Sequence, residues 1–389
     1  MAYIKGKSFT TEEKNDLIKK YQEEVDDFTF KSASKIIDLI SGNGDIPVWE
    51  SPVFNTFFMN PASGTHFNLE NSLLLYLAKK EFGYKDSLFI TAKQGFDNGL
   101  SMEKGTTGHY IIQRFGMKMF PLSEIDSSGK PIKDSNGKNI LKRNEDGEIQ
   151  YFYKRCAKLV KIFNIEQFKG QIPEKWLKYT NREQQTLENQ EHLNNIKSVV
   201  IKSLPLKLER HSLGSNYYQP FTDKITLSEE YMFKNTLSEL STLFHEWSHA
   251  TGHKERLNRE SLYRYSEDKS FRGYEELVAN FSARRLCNYY QLNNNELSEQ
   301  FENNHDSYDA GWAFAAAKKS PELIFKAAAD ADRAFNLVKK TIEPNLKNEN
   351  SLKDFLSKKI ESDDETNEVD KEEKNTISKE KTNKFKRGI

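Results

Sequence analysis

Cysteine is scarce in this chain of 389 residues, which contains only Cys156 and Cys287. The two lie far apart in the sequence and form no C-x-x-C pair. Neither a disulfide framework nor a cysteine zinc site is therefore predicted. Such sparse cysteine usage fits a reducing, cytoplasmic setting.

Long apolar stretches are absent as well. No run of about 18 apolar residues occurs, which is the length that a helix needs to cross a bilayer. The first residues, MAYIKGKSFTTEEK, lack the apolar core of a signal peptide. We therefore expect a soluble, unexported protein without a membrane partner.

The chain also has no net charge, because 58 Lys and Arg balance 58 Asp and Glu. Global charge thus does not indicate a nucleic-acid or membrane partner, and any basic surface must be local. Residues 51–170 carry such a local excess, with 17 basic against 12 acidic residues and aromatic residues interleaved. This mixture suits single-stranded nucleic acid, since rings stack on bases and cations neutralise phosphates. Cations that lie among these aromatic residues include Lys93, Lys104 and Arg114.

One motif has specific chemistry, the pattern H-E-x-x-H formed by His245, Glu246 and His249 within LSTLFHEWSHATGH. Residues four apart share one face of a helix, so the two imidazoles are predicted to bind one zinc ion. Glu246 is expected to reach a water in the open coordination position and to act as its general base. Histidine makes up only 8 of the 389 residues, so chance would produce this pattern on the order of once in a hundred such chains.

The surroundings of the motif predict a packed helix. Thr236 followed by Glu239 has the spacing of a capping box, and Gly252 is a suitable C-terminal stop. Between these ends, leucine and aromatic residues recur at helical intervals and form an apolar stripe.

A catalytic zinc ion usually has three protein ligands, so a third ligand is required. Residues 273–290 have the pattern of a helix, and Glu275 and Glu276 stand near its start. We choose Glu276 as the third ligand and keep Glu275 as the alternative. Asn280 shares a face with Glu276 and is positioned to hydrogen-bond it.

Two other residues compete for this role. In another class of zinc peptidase, the third ligand follows the second histidine by six residues, beyond a glycine. Glu255 stands six residues after His249, with Gly252 between them, and His253 is the neighbouring alternative.

The remaining elements predict a mixed architecture of the α+β class. Helical spacing occurs over residues 10–40 and again around LLLYLAKK, while strand patterns occur at 87–92 and 109–115. Residues 123–150 are rich in Gly, Asp, Asn and Lys, which is typical of a long hairpin or a mobile insertion. An alternating stretch around Tyr217 and Tyr218 predicts an edge strand just before the zinc helix.

Composition divides the chain into four parts. They are an N-terminal part at 1–170, a connector at 171–204, a part that contains the H-E-x-x-H motif at 205–345 and a charged, disordered tail at 346–389.

The segments HEWSHATGHKERLNR and GYEELVAN, with DKITLS upstream, resemble the ArdC family of plasmid and phage antirestriction proteins. The stretches NPASGTHFNLENSLLL and FITAKQGFDNGLSMEKGTTG are similar to that family's N-terminal domain, which binds single-stranded DNA. By this resemblance, residues 1–170 form the N-terminal single-stranded-DNA-binding domain, and residues 205–345 form a largely helical zincin-like metallopeptidase domain that follows in the same order. One departure is Asn280, where the family usually has an acidic residue.

The resemblance implies roles for particular residues. It implies that His245, His249 and Glu276 hold the zinc ion and that Glu246 is the general base. The residues predicted to contact DNA are Lys93, Gln94, Lys104 and Arg114.

By this resemblance the protein binds single-stranded DNA that enters a cell and interferes with its restriction, with a zinc centre that cleaves peptide bonds. We expect Tyr217 or Tyr218 to stabilise the oxyanion. Two alternatives stay open. One is a zinc metallopeptidase without a DNA role, and the other is a DNA-binding module whose zinc site is purely structural.

Overall fold

The computed structural model describes residues 9–41, 58–177, 179, 190–290, 292, 320 and 322–346. Helices and strands both contribute, which confirms the α+β class. The chain divides into two compact units, one from residues 1–31 and 110–161 and one from 32–109 and 162–389. The predicted disordered tail beyond residue 346 lies outside the described residues. Within those residues, no helix has the length and apolar character that a membrane span requires.

The helices are α1 (Thr11–Ser41), α2 (Leu69–Phe82), α3 (Ala92–Asp97), α4 (Glu174–Leu177), α5 (Gln190–Ser203), α6 (Thr236–Ala250), α7 (Glu260–Tyr263), α8 (Lys269–Tyr289) and α9 (Leu323–Leu346). The strands are β1 (Met59–Asn60), β2 (Thr65–His66), β3 (Phe89–Ile90), β4 (His109–Pro121), β5 (Tyr151–Asn164), β6 (Lys207–His211), β7 (Tyr217–Gln219) and β8 (Lys224–Ser228).

The first unit packs the start of α1 on the paired strands β4 and β5. Thr10 caps the helix, because its hydroxyl accepts from the Glu13 amide at 3.2 Å while the Glu13 carboxylate accepts from the Thr10 amide at 2.8 Å. Ile18 of α1 is buried against Met119 and Cys156 of the two strands.

The residues between β4 and β5 form three turns rather than one long hairpin. Asp126, Asp134 and Asn144 each begin a turn, and their side chains accept backbone amide protons from within it. A glycine with positive φ stands three residues later in each turn, at 129, 137 and 147. Backbone hydrogen bonds then connect the three segments: the Leu122 amide donates to Gln150, the Gln150 amide to Lys142 and the Lys142 amide to Leu122, which closes a ring. The repeated spacing of acidic or amide residue and glycine is the sequence signal for this structure.

The N-terminal part of the second unit contains α2, which ends at Gly83. Gly83 adopts a φ of 71°, and its amide donates a hydrogen bond to the Lys79 carbonyl. β3 pairs antiparallel with the last residues of β5. Ile90 of β3 is buried together with Ile165 and Trp176.

The C-terminal part of this unit positions the candidate site. A three-stranded sheet has the order β6-β8-β7, with β7 antiparallel to β8 at one edge as the sequence predicts. Helices α6 and α8 pack together, and α9 packs on α8. Asp332 of α9 accepts from the Leu69 amide at the start of α2 at 2.8 Å and pairs with Arg285 of α8 at 2.7 Å. The functional boundary at 171–204 stays a prediction.

Candidate metal centre

Helix α6 holds the motif, and its start differs from the predicted capping box. Asn235 is the N-cap, because its side chain accepts from the Ser238 amide at 2.9 Å and Ser238 reaches back to the Asn235 amide. Glu239 instead forms ion pairs with Lys197 and Arg210. The cap lies one residue earlier than predicted because an asparagine competes well with threonine for this position.

Helix α8 supplies the third corner of the site. It begins at Lys269, where Asp268 accepts from the Ser270 amide at 2.6 Å. Glu275 and Glu276 lie in its second turn and are both buried. Packing of α8 against α6 directs both carboxylates toward the motif.

The side chains of His245, His249 and Glu276 converge. One nitrogen or oxygen atom of each lies within 4.8 Å of the others. His245 Nε2 and His249 Nε2 are 3.1 Å apart, and the carboxylate oxygens of Glu276 lie 3.3 Å from the former and 3.4 Å from the latter. In the described ranges, His253 and Glu255 do not join this group.

The three groups stabilise a shared positive charge. Burial alone lowers the pKa of His249, but the carboxylates of Glu276 and Glu275 outweigh burial and raise that pKa well above its ordinary value. Burial alone raises the pKa of Glu276, but the imidazoles of His249 and His245 hold it well below its ordinary value. Glu276 is thus ionised and surrounded by groups that must share a cation or a proton.

This donor set fits a divalent metal ion. Two facing ring nitrogens cannot both accept from each other, so the space between them needs either a proton or a cation. Glu276 Oε2 is buried and has no hydrogen-bond partner among the described residues. Two imidazoles and one carboxylate are the ligand set of one class of catalytic zinc site.

Glu246 lies next to this centre on α6. Its side chain is buried. Its negative charge contributes to raising the pKa of both His245 and His249. Its place directly after His245 in the motif fits the role of a general base, which must lie within reach of the reacting atoms.

Glu275 contacts the site indirectly. It lies 3.3 Å from His249 Nδ1 and accepts from Arg259 Nε at 3.0 Å and from the Ser261 hydroxyl at 2.6 Å. A carboxylate on Nδ1 fixes the ring orientation and leaves Nε2 for the metal. The structure therefore separates the two candidate glutamates, with Glu276 facing the centre and Glu275 behind His249.

Arg259 joins Glu275 to the end of α6. Its guanidinium donates to the Thr251 hydroxyl at 2.7 Å and to the Ser248 carbonyl at 2.8 Å. Gly252 makes room for it, because a Cβ at that position would stand 2.9 Å from Arg259 Nη2 and 3.1 Å from the His249 carbonyl. The predicted helix stop thus has a packing role.

Gly252→Ala is expected to destabilise the protein by about 1–3 kcal/mol, the usual cost of overpacking a close contact. Arg259 cannot move aside cheaply because it is buried and held by several hydrogen bonds. Thermal unfolding of the purified protein measures the change. Gly83→Ala is a poor control, because the positive φ of Gly83 would add backbone strain. Ala329→Gly on α9 is the better comparison, because it shows how much an exchange between Ala and Gly changes stability through helix propensity alone. Unchanged unfolding of Gly252→Ala would contradict the packing role.

Sequence reasoning missed one residue at the centre, Tyr265. Its hydroxyl donates to Glu276 Oε1 at 2.6 Å, and its ring centroid lies 6.2 Å from that of His249. Tyr218, one of the two guesses for an oxyanion donor, instead bonds Asp223 at 2.6 Å and Arg256 at 3.1 Å. No motif links Tyr265 to the centre, because the contact depends on how the chain returns before α8.

The residues predicted to contact DNA occupy different settings. Lys93 of α3 forms an ion pair with Asp97. Gln94 is used inside the structure, where its side-chain oxygen accepts from the Thr91 amide at 2.9 Å and from Asn60 at 3.1 Å. Lys104 is exposed between α3 and β4, and Arg114 is exposed on β4 in the first unit.

Two family models match this chain. The N-terminal domain of anti-restriction factor ArdC matches residues 19–163, and a zincin-like metallopeptidase matches residues 200–330. The first match covers β4 and all of β5 except its last residue. The second match covers β6 to α8 and includes His245, Glu246, His249 and Glu276.

Relatives by sequence include two proteins of Escherichia coli named DNA primase TraC, each 26% identical over 75% of this chain. This chain spans only 18% and 25% of their lengths. An uncharacterized protein of Sinorhizobium fredii is 25% identical over 71% of this chain and 78% of its own length.

Similar solved structures include the antirestriction protein ArdC of plasmid R388 in two forms. The metal-free form has a TM-score of 0.55 at 24% identity and covers 82% of this chain and 98% of that one. The Mn(II)-bound form has a TM-score of 0.53 at 24% identity and covers 80% and 97%. At this identity the likeness establishes a shared fold.

Proposed function

We propose that this chain binds single-stranded DNA, protects it from restriction and cleaves peptide bonds at a metal centre. In support, it resembles the ArdC family, with a match to the ArdC N-terminal domain ahead of a match to a zincin-like metallopeptidase domain. The observation that carries the enzymatic part is the buried convergence of His245, His249 and Glu276 beside Glu246.

The proposed resident metal is zinc, held by His245, His249 and Glu276. When bound, it supplies Lewis acidity, which lowers the pKa of a water and polarises the peptide carbonyl. The Mn(II)-bound form of the R388 protein supports the choice of a divalent ion. Divalent zinc binds nitrogen and oxygen ligands more tightly than manganese does, which favours zinc when both are present.

The protein groups perform the proton transfers. Glu246 accepts a proton from the attacking water on its carboxylate and then donates that proton to the nitrogen of the leaving amine. Glu275 keeps His249 oriented during this cycle. The hydroxyl of Tyr265 bonds the proposed ligand Glu276. Tyr265 is therefore our candidate for a donor to the developing oxyanion, in place of Tyr217 or Tyr218.

Strand β7 is the proposed binding edge for an extended peptide. It is an edge strand of the described sheet and packs beside α6. The main-chain groups of an edge strand bind a peptide through a ladder of hydrogen bonds. Peptide side chains then determine specificity at positions along this ladder.

A restricting host tests the proposed function. Unmodified plasmid DNA enters the host as a single strand by conjugation, with or without this chain expressed in the recipient. We expect more surviving transconjugants when the chain is present, and equal numbers in a host that lacks the restriction enzyme. Equal survival in the restricting host, with the chain demonstrably expressed, would refute the antirestriction role.

A further inference from the structure

Strands β4 and β5 have a strongly one-sided charge. Together they carry six Lys and Arg and no Asp or Glu. The basic residues are Arg114, Lys118, Lys154, Arg155, Lys158 and Lys161. A chain without net charge therefore concentrates cations on one pair of strands, where no carboxylate of the strands offsets them.

Helix α1 covers one face of these strands. Phe115, Met117 and Met119 pack with Ile18 of α1. They share one face of β4, because successive side chains of a strand point to opposite faces of the sheet. Lys14 of α1 also donates to the Met119 carbonyl at 2.9 Å. The residues between these positions must face the opposite side.

That opposite side, which we name the open face, consists of Arg114, Gly116, Lys118, Tyr151, Tyr153 and Arg155. The β4 members alternate with the packed residues and are exposed. Tyr153 lies over Gly116, and Lys118 Nζ lies 3.4 Å from the centroid of the Tyr151 ring. Arg155 is two residues beyond Tyr153 and shares its face.

The side chain of Tyr153 packs against Gly116. A Cβ at 116 would lie 3.3 Å from Tyr153 Cβ and 3.4 Å from its Cδ1, so the ring rests directly against the glycine backbone. Tyr153 nevertheless stays 54% exposed. The ring therefore has one supported face, and its outer side is open to solvent.

We propose that the open face is the single-stranded-DNA-binding surface, with a base stacked on Tyr153 and the backbone phosphates paired with Arg155, Lys118 and Arg114. This inference rests on the proposed function and assigns it to particular residues. It moves the DNA contacts from Lys93, Gln94 and Lys104 to the two strands and keeps Arg114. The chemistry is that of other nucleic-acid-binding sheets, in which rings stack on bases and cations bind phosphates.

The spacing of the rings favours unpaired DNA. Tyr151 and Tyr153 are two residues apart on one strand, which is about 7 Å at the rise of an extended chain. Bases in a duplex are about 3.4 Å apart along each strand. Bases placed on successive rings must therefore separate, which a single strand does easily and a duplex does only by unpairing.

Fluorescence anisotropy of the full-length protein with labelled oligo(dT) tests this surface. We expect Tyr153→Ala to weaken binding by about fivefold to 150-fold, which corresponds to about 1–3 kcal/mol per stacked base. Arg155→Glu should weaken binding and lower the slope of log affinity against log salt by about 0.7, the value of one phosphate contact on a single strand. Tyr153→Phe should bind as the parent does, because a phenyl ring still stacks.

Two matched variants control for unspecific effects. Phe221→Ala removes a ring that is 96% exposed in the other unit, and Lys326→Glu reverses an exposed charge on α9. Both should bind oligo(dT) as the parent does. Thermal unfolding of every variant identifies any that are misfolded, and Tyr153→Trp adds a direct readout because a base stacked on indole quenches its fluorescence.

The possible failures are distinguishable. A parent protein that does not bind oligo(dT) at low salt would refute the DNA-binding part of the proposed function and this surface with it. If the parent binds but Tyr153→Ala and Arg155→Glu match their controls, the surface is refuted and the DNA role is kept. Equal competition by polyglutamate, without quenching of Tyr153→Trp, would show a general anion surface and would also overturn the proposal.

Discussion

Glu246→Gln is expected to reduce peptide hydrolysis by about 10²–10⁴-fold, the usual contribution of a positioned general base. Glutamine has nearly the same shape but cannot accept the proton of the attacking water. The proposed ligands His245, His249 and Glu276 are untouched, so metal content and binding to oligo(dT) should equal those of the parent. Metal content by elemental analysis and hydrolysis of a casein substrate provide the two readouts.

Glu255→Gln is the matched control, because Glu255 is an exposed carboxylate close to the motif and outside the described ligand group. It should retain full hydrolysis. The same pair of variants in the conjugation assay decides whether proteolysis contributes to protection. Hydrolysis by Glu246→Gln at the parent's rate would refute the proposed general base, while protection that persists without hydrolysis would assign protection to DNA binding.

Glu276→Gln and Glu275→Gln are expected to affect metal binding differently, although the two residues are adjacent. Glu276→Gln removes a proposed ligand, so zinc affinity should fall by more than the 10–100-fold that an outer partner of a ligand contributes. Glu275→Gln weakens only the hold on His249, so zinc affinity should fall within that 10–100-fold range. Titration calorimetry of the metal-free protein with Zn²⁺, and separately with Mn²⁺, measures both effects.

Stability without metal gives a second distinction between these variants. Glu275 neutralises the buried guanidinium of Arg259, and removing one partner of a buried ion pair costs about 3–5 kcal/mol. Metal-free Glu275→Gln should therefore unfold at a lower temperature than the parent. Metal-free Glu276→Gln should lose less stability than Glu275→Gln. The charge of the Glu276 carboxylate is balanced only by imidazoles, and these can release their protons when the carboxylate is removed. The reverse order of affinities would make Glu275 the ligand.

Several features follow from sequence alone. The spacing of His245 and His249 is local, because an α-helix places residues four apart on one face wherever it packs. The glycine stop of α2 and the Thr10 cap of α1 are equally local, since neighbouring residues form their hydrogen bonds. Family models now confirm the resemblance that these segments indicate.

Local pattern was insufficient where two candidates competed. Asn235 rather than Thr236 caps α6, and Glu239 is used in ion pairs with Lys197 and Arg210. In the segment between β4 and β5, polar composition indicated mobility, although the recurring turns close it with backbone hydrogen bonds. Composition reports which residues are solvated, but it does not report which backbone groups pair.

The sequence by itself determined the helix α6, the pair of imidazoles on it and the family to which they point. Only the tertiary structure decided that Glu276 faces the centre while Glu275 supports His249, that Arg259 and Tyr265 complete the surroundings, and that Ile18 of α1 packs against Met119 and Cys156 of β4 and β5. The physical reason is the range of the interactions. Helical periodicity arises from hydrogen bonds between near neighbours, whereas the direction of a side chain on α8 toward α6 depends on the packing of the whole core between them.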